Sequence, residues 1–200
     1  MKKLIMFVLT TISALSIMGQ DVQSLPLGSA IPMADKKMKS VTGKEYSIND
    51  VVNKKGVLVM FSCNTCPVVV KYQSRALKAI NEAKEKGFGV ILVNSNEAQR
   101  SNDDSYQAMQ AYAKAQNYGD IPYVVDNNSA LANAFGATRT PECFLFDAAG
   151  KLVYHGAIDN NQEASQATRN HIFSAINETI SGKEVSVKQS RSVGCAIKRI

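Results

Sequence analysis

The strongest constraint on this chain is a junction. Five consecutive apolar residues, Val57-Leu58-Val59-Met60-Phe61, run into Ser62-Cys63-Asn64-Thr65-Cys66-Pro67, and a helical pattern follows. An unbroken apolar run of this kind predicts a strand covered on both faces. Beyond it, Val69, Tyr72, Ala76, Leu77, Ile80 and Ala83 recur at i, i+3, i+4 spacing, the pattern of a helix with one buried stripe. Pro67 suits the first turn of that helix, and Lys84, Lys86 and Gly87 suit its end. Two thiols three positions apart at a strand-to-helix junction can close a small disulfide ring. The helix N-terminus supplies backbone N–H groups and a positive dipole end, which favour thiolate over thiol. That is the geometry a dithiol/disulfide exchanger needs.

The remaining elements can be placed around this junction. Residues 20–34 read as irregular, with Pro26, Gly28 and Pro32; a short strand-turn-strand is expected from Met38 to Tyr46, turning at Thr42-Gly43. Ser47 to Asp50 reads as a helical turn. Strand Val90–Val93, a helix from about Asp104 to Asn117, strand Pro122–Val125 and a short helix from Ser129 to Phe135 follow. Strands Cys143–Phe146 and Leu152–His155 flank an Asp147-Ala148-Ala149-Gly150 turn and read as an antiparallel hairpin. A last helix is expected over about Glu163–Ile180, with a polar tail after it. The order β-α-β-α-β-α-β-β-α implies a mixed central sheet with helices on both faces, in one domain.

The first 20 residues read as a leader rather than as part of that domain. Lys2 and Lys3 precede a run from Leu4 to Met18 that is apolar apart from Thr and Ser, with Gly19-Gln20 after it, as in a secretory signal. About 15 apolar residues fall short of the roughly 20 that span a bilayer. The expectation is a signal over 1–20, a domain over 21–181 and a tail over 182–200, in an exported, periplasmic or otherwise extracytoplasmic protein. Membrane attachment is expected only if the leader stays uncleaved. The net charge of +6 is scattered, and no basic stripe carries interleaved aromatics, so nucleic acid is not an expected partner. Four cysteines in 200 residues suit an oxidising setting but are too few for a disulfide-built scaffold. The pair Cys63 and Cys66 therefore reads as reactive. Cys143 falls in an apolar strand and reads as a buried, inert thiol.

A C-x-x-C after a buried strand, Thr140-Pro141 before a later strand, and a closing hairpin plus helix resemble the thioredoxin fold over about residues 25–181. More closely, Cys63-Asn64-Thr65-Cys66-Pro67, Val93-Asn94-Ser95-Asn96, Tyr154-His155-Gly156 and the late Val193-Gly194-Cys195-Ala196-Ile197-Lys198 resemble thioredoxin-like proteins of the redoxin (alkyl hydroperoxide reductase/thiol-specific antioxidant) superfamily. The resemblance implies a three-layer α/β domain and a thiol–disulfide oxidoreductase acting on protein or small-molecule thiols and disulfides. Its redox group would be a Cys63–Cys66 disulfide, with no added cofactor and no metal. Cys63 would be the exposed attacking thiolate and Cys66 the partly buried resolving thiol. Pro141 would be the cis-proline facing them, and Thr140 would offer backbone to a substrate strand. Asn64, Thr65 and Pro67 would complete the substrate side.

Several residues depart from the thioredoxin pattern. Ser62 stands where thioredoxin has Trp, and the strand before the motif offers only Val57 to Met60 where thioredoxin carries a helper carboxylate. Glu142, directly after Pro141, is the candidate substitute if it points at Cys66. Cys195 sits in the tail with Val193 and Ile197, apolar residues suited to docking on the body; it is a further candidate redox thiol, open to pairing with Cys143 or to remaining free. Asn94 and Asn96 lie at a strand end where this fold places its chemistry, and Asp159 reads as a turn residue. Peroxiredoxin-like chemistry requires Pro-x-x-x-Thr/Ser-x-x-Cys, but the corresponding positions are Val59 and Cys63 for Cys66, or Gly56 and Met60 for Cys63. A copper or zinc carrier would use thiolates, but only His155 and His171 are on hand.

Overall fold

The computed structural model describes residues 23–200; the expected leader lies outside them. β1 (Met38–Lys39) and β2 (Glu45–Tyr46) form the small hairpin. α1 (Ile48–Val51) starts at Ser47, whose hydroxyl accepts from the Asp50 amide while the Asp50 carboxylate accepts from the Ser47 amide. This reciprocal cap satisfies two otherwise unpaired donors.

The central strands follow the apolar runs. β3 (Val57–Phe61) and β4 (Gly89–Asn94) are buried along their whole length, with α2 (Pro67–Glu85) between them. After α3 (Tyr106–Ala115) come β5 (Tyr123–Val125), α4 (Ala130–Phe135) and β6 (Arg139–Thr140). β7 (Glu142–Phe146), β8 (Leu152–Gly156), α5 (His171–Ile180) and β9 (Cys195–Ala196) complete the chain. The main sheet has the order β5-β4-β3-β7-β8; β3, β4 and β5 run parallel, and β7 is antiparallel to both β3 and β8.

Alternation along β3 builds the two cores. Leu58 and Met60 face α2, α3 and α5, packing with Ile80, Met109, Ile172 and Ile176. Val57, Val59 and Phe61 face α1 and α4, packing with Ile48, Leu131 and Phe135. Phe61, Phe135 and Phe144 meet edge to face with centroids 5.2–5.7 Å apart. Burying each such ring stabilises the fold by about 1.5–3 kcal/mol. β4 begins at a glycine because α1 lies so close that a Cβ on Gly89 would overlap the Val51 carbonyl.

Two segments differ from the sequence expectation. α5 starts at His171 rather than near Glu163. The Asn160 side chain accepts from the Thr168 and Arg169 amides, both at 3.0 Å, and Arg75 donates to the Asn161 and Gln162 carbonyls. Those bonds hold a loop where helical periodicity could have run on. The tail after α5 is the second: polar in composition, it turns back across the domain and docks through Ile197, while Val193 stays exposed. The Ser190 hydroxyl accepts from the Ala157 amide, and Ile197, 5% exposed, enters the α1/α4 core.

Candidate active site

The C-x-x-C segment occupies the gap between β3 and α2. Ser62 continues the parallel ladder by donating from its amide to the Val93 carbonyl, and Cys66 is the cap residue before Pro67 opens the helix. The Thr140 hydroxyl lies 3.2 Å from the Cys63 sulfur, and the Thr65 and Cys66 backbone favours its anion. Burial nonetheless dominates and pushes the Cys63 thiol above the ordinary cysteine range. The Thr140 hydroxyl works against that rise, the Asp104 carboxylate adds to it, and the Thr65 and Cys66 backbone opposes it.

The Thr140–Pro141 peptide is cis and faces this turn. β6 pairs antiparallel with β9, with Thr140 opposite Cys195. The ladder edge expected to receive a substrate strand is therefore taken by the chain's own tail. Cys66 is disulfide-bonded to Cys195, with Cα atoms 5.9 Å apart. The Cys195 amide donates to the Cys66 sulfur at 3.3 Å, and the Thr140 carbonyl lies 3.4 Å from the same sulfur. The expected Cys63–Cys66 disulfide is thus not the pair in this structure, and Cys63 keeps its thiol. Cys63 was expected to be exposed but is only 1% accessible, and Cys66 3%; Cys195 is partly exposed. Cys195 of the docked tail and Val68 pack against the cluster of Cys63, Cys66 and Val69. Of the apolar pair Val193 and Ile197 that flagged the tail for docking, Ile197 enters the core and Val193 stays exposed.

The residues around the thiols divide into inward and outward sets. Asn64 faces inward: its amide donates to Asp104 Oδ1, its Nδ2 to the Asp103 carbonyl, and its Oδ1 accepts from the Tyr123 hydroxyl, each at 2.9 Å. Buried Asp104 also takes the Nδ2 groups of Asn94 at 2.7 Å and Asn96 at 2.8 Å. This network fixes the C-x-x-C turn, and no local sequence pattern marks Asp104 as its hub. Thr65 and Pro67 stay on the surface.

Glu142 is buried, and burial raises its carboxyl above the usual range. Its Oε2 accepts from the Thr138 and Arg139 amides at 2.8 and 3.0 Å, so its bonds hold the segment before Pro141 and do not reach Cys66. Cys143 is fully buried in the α5-side core, where burial pushes its thiol far up. Asp159 is more than a turn residue: it is buried, accepts from the Tyr72 hydroxyl at 3.0 Å and pairs with Arg75. His155 stacks on Phe144 and contacts Gln189, while His171 opens α5. Among the described residues no three His, Cys, Asp or Glu side chains gather as a metal site would require, and no helix is long and apolar enough to cross a membrane.

Comparison with known proteins agrees with this architecture. The family model for Redoxin matches residues 26–171. A hypothetical protein from Sinorhizobium meliloti 1021 is 30% identical with TM-score 0.80, over 89% of this chain and 97% of that one. An uncharacterised conserved protein from Geobacillus kaustophilus is 31% identical with TM-score 0.80, over 88% and 93%. The thioredoxin domain of a thiol-disulfide oxidoreductase from Bacteroides vulgatus shares the fold at 24% identity and TM-score 0.54, over 66% and 89%. No curated protein matches the sequence.

Proposed function

This chain belongs to the redoxin family, and from that membership we propose that it is a thiol–disulfide oxidoreductase exchanging electrons with protein or small-molecule thiols and disulfides. The observation that carries the reading is the cluster of a thiol, Cys63, and a disulfide, Cys66–Cys195, beneath the cis Thr140–Pro141 peptide at the start of a long helix. With Cys66–Cys195 reduced and the two-residue β9 ladder at Thr140 opened, Cys63 attacks a substrate disulfide. A bond forms between its sulfur and one substrate sulfur, and the other substrate sulfur leaves as thiolate. Cys66 then attacks Cys63, releasing the reduced substrate and closing Cys63–Cys66. The amides of Thr65 and Cys66 and the Thr140 hydroxyl hold the Cys63 anion, and Glu142 keeps the strand before Pro141 in place. The dithiol holds the two electrons that its disulfide form accepts, so the exchange needs no prosthetic group. The leader over 1–20 supports an extracytoplasmic setting.

Reduction of a test protein disulfide checks this. Cys63→Ser and Cys66→Ser should each lower the rate on the order of 10⁴-fold or more, the scale of removing one member of a catalytic unit. Full activity in both variants would end the proposal. Peroxide consumption that needs Cys63 but survives Cys66→Ser would instead select the peroxidase chemistry of the wider family.

A further inference from the structure

The roles drawn for Cys63 and Cys66 leave unexplained why the chain brings its own tail onto them. The tail is seated on both sides of Cys195. Upstream, the Ser190 amide donates to the His155 carbonyl and its hydroxyl accepts from the Ala157 amide. Downstream, the Ile197 amide donates to the Thr138 carbonyl and the Lys198 amide to Asn96 Oδ1. Gly194 lies so close to Thr140 that any Cβ would overlap the Thr140 carbonyl, so the residue before Cys195 has to be glycine for the strand to seat. Cys195 is therefore held beside Cys66 by contacts independent of the disulfide, and it stays nearby when that bond opens.

The exposures of the three cysteine residues are unequal. Cys63 and Cys66 are buried, and Cys195 alone is partly exposed. Disulfide exchange requires access to the attacked sulfur and a leaving thiolate that is well stabilised. Attack on Cys195 satisfies both conditions, because the departing Cys66 sulfur sits at the N-terminus of the 19-residue α2 and accepts from the Cys195 amide at 3.3 Å. We infer that Cys195 is a third catalytic thiol, the outward terminal of a relay in which Cys66 is the central sulfur shared between Cys195 and Cys63. Its external partner class is a small or flexible thiol that can reach the tail strand.

The steps balance. A thiol RSH attacks Cys195, forming R–S–S–Cys195 and breaking Cys66–Cys195, with Cys66 leaving as thiolate and taking up the proton. A second thiol attacks the R sulfur of that mixed disulfide, giving R–S–S–R and the Cys195 thiol, so two electrons enter the protein. Internally, once a substrate disulfide has been reduced and Cys63–Cys66 has closed, the Cys195 thiol attacks Cys66, forming Cys66–Cys195 and releasing Cys63, which takes up the proton. That step moves the disulfide outward, to the bond the external thiol opens, without net oxidation or reduction.

The inference rests on the exchange reading above, and one experiment separates the two. The oxidised wild-type chain is mixed with glutathione, quenched in acid within the first turnovers, and mapped by mass spectrometry. Glutathione on Cys195 with Cys66 as free thiol is expected. Glutathione on Cys63 or Cys66, or a Cys66–Cys195 bond that glutathione leaves untouched, overturns the relay. A second variant guards against misfolding of cysteine replacements: Gly194→Ala should shift the oxidised pair from Cys66–Cys195 to Cys63–Cys66 and slow glutathione reduction at least tenfold. Unchanged pairing and rate in Gly194→Ala would also overturn it. If glutathione lands on Cys195 but test disulfides are not reduced, the relay stands and the broader function falls. If test disulfides are reduced equally well by Cys195→Ser, the function stands and the relay falls.

Discussion

Cys63 is held between opposing influences. Burial and the Asp104 carboxylate keep its proton on, while the Thr140 hydroxyl and the Thr65 and Cys66 amides favour its loss, and burial is the largest. The thiolate is the reactive form, so alkylation of Cys63 in the oxidised protein should rise with pH and still be climbing at 9.0, the ordinary cysteine value. Replacing Thr140 with valine removes the hydroxyl 3.2 Å from the sulfur. A hydrogen bond to a charged group is worth about 1.5–3 kcal/mol, so alkylation of Thr140→Val at neutral pH should slow roughly tenfold or more. Thr140→Ser should restore the wild-type curve. If the valine variant is alkylated as fast as wild type, the hydroxyl plays no part in activating Cys63. Asn64 teaches a related lesson about single residues. Its position between the thiols suggested the substrate side, yet its polar atoms are spent on Asp103, Asp104 and Tyr123, which come from distant segments no local pattern connects.

At the level of elements, β9 is only two residues long, yet it is the strand that pairs beside the thiols. Its hold depends on Ile197 in the α1/α4 core. Ile197→Ala should cost about 2–4 kcal/mol, in the range for emptying a buried aliphatic site. Hydrogen exchange would show whether the loss is local: the amides of Ile197 and Lys198 should exchange at least ten times faster while those of β3 and β4 keep their protection. Equal acceleration everywhere would mean that the tail opens only with the whole domain. The same contrast explains what could be read beforehand. β3, β4 and β7 were legible because a strand buried on both faces is apolar throughout, and α2 because its stripe repeats every three to four residues. The start of α5 was not, since side-chain bonds from Asn160 and Arg75 stop the helix from outside. Nor was the pairing of residues 139–140 with 195–196, a ladder of two residues a side whose partners lie far apart in sequence. The Cys66–Cys195 bond follows from that ladder, so the cysteine pairing was as hidden as the strand that sets it.

For the whole molecule, the disulfide spans 129 positions. Closing so long a loop removes much freedom from the unfolded chain, worth about 3–5 kcal/mol in the chain-entropy picture. For a domain of this size each kcal/mol moves Tm by roughly 2–4 °C, so reductant should lower Tm by roughly 6–20 °C. Oxidised Cys195→Ser should melt near the reduced wild type in calorimetry. A difference of under about 1 °C between oxidised and reduced wild type would mean that the unfolded chain gains little freedom when the link is cut. The link also makes residues 66–195 a covalent ring that contains most of the described chain. A protease that nicks a surface loop inside this ring, such as the one around Asn160 to Asn170, would leave two pieces that migrate together on a gel until reductant is added. With the bond between Cys63 and Cys66 instead, the same nick would release two fragments at once, so a single cleavage reports which sulfurs are joined.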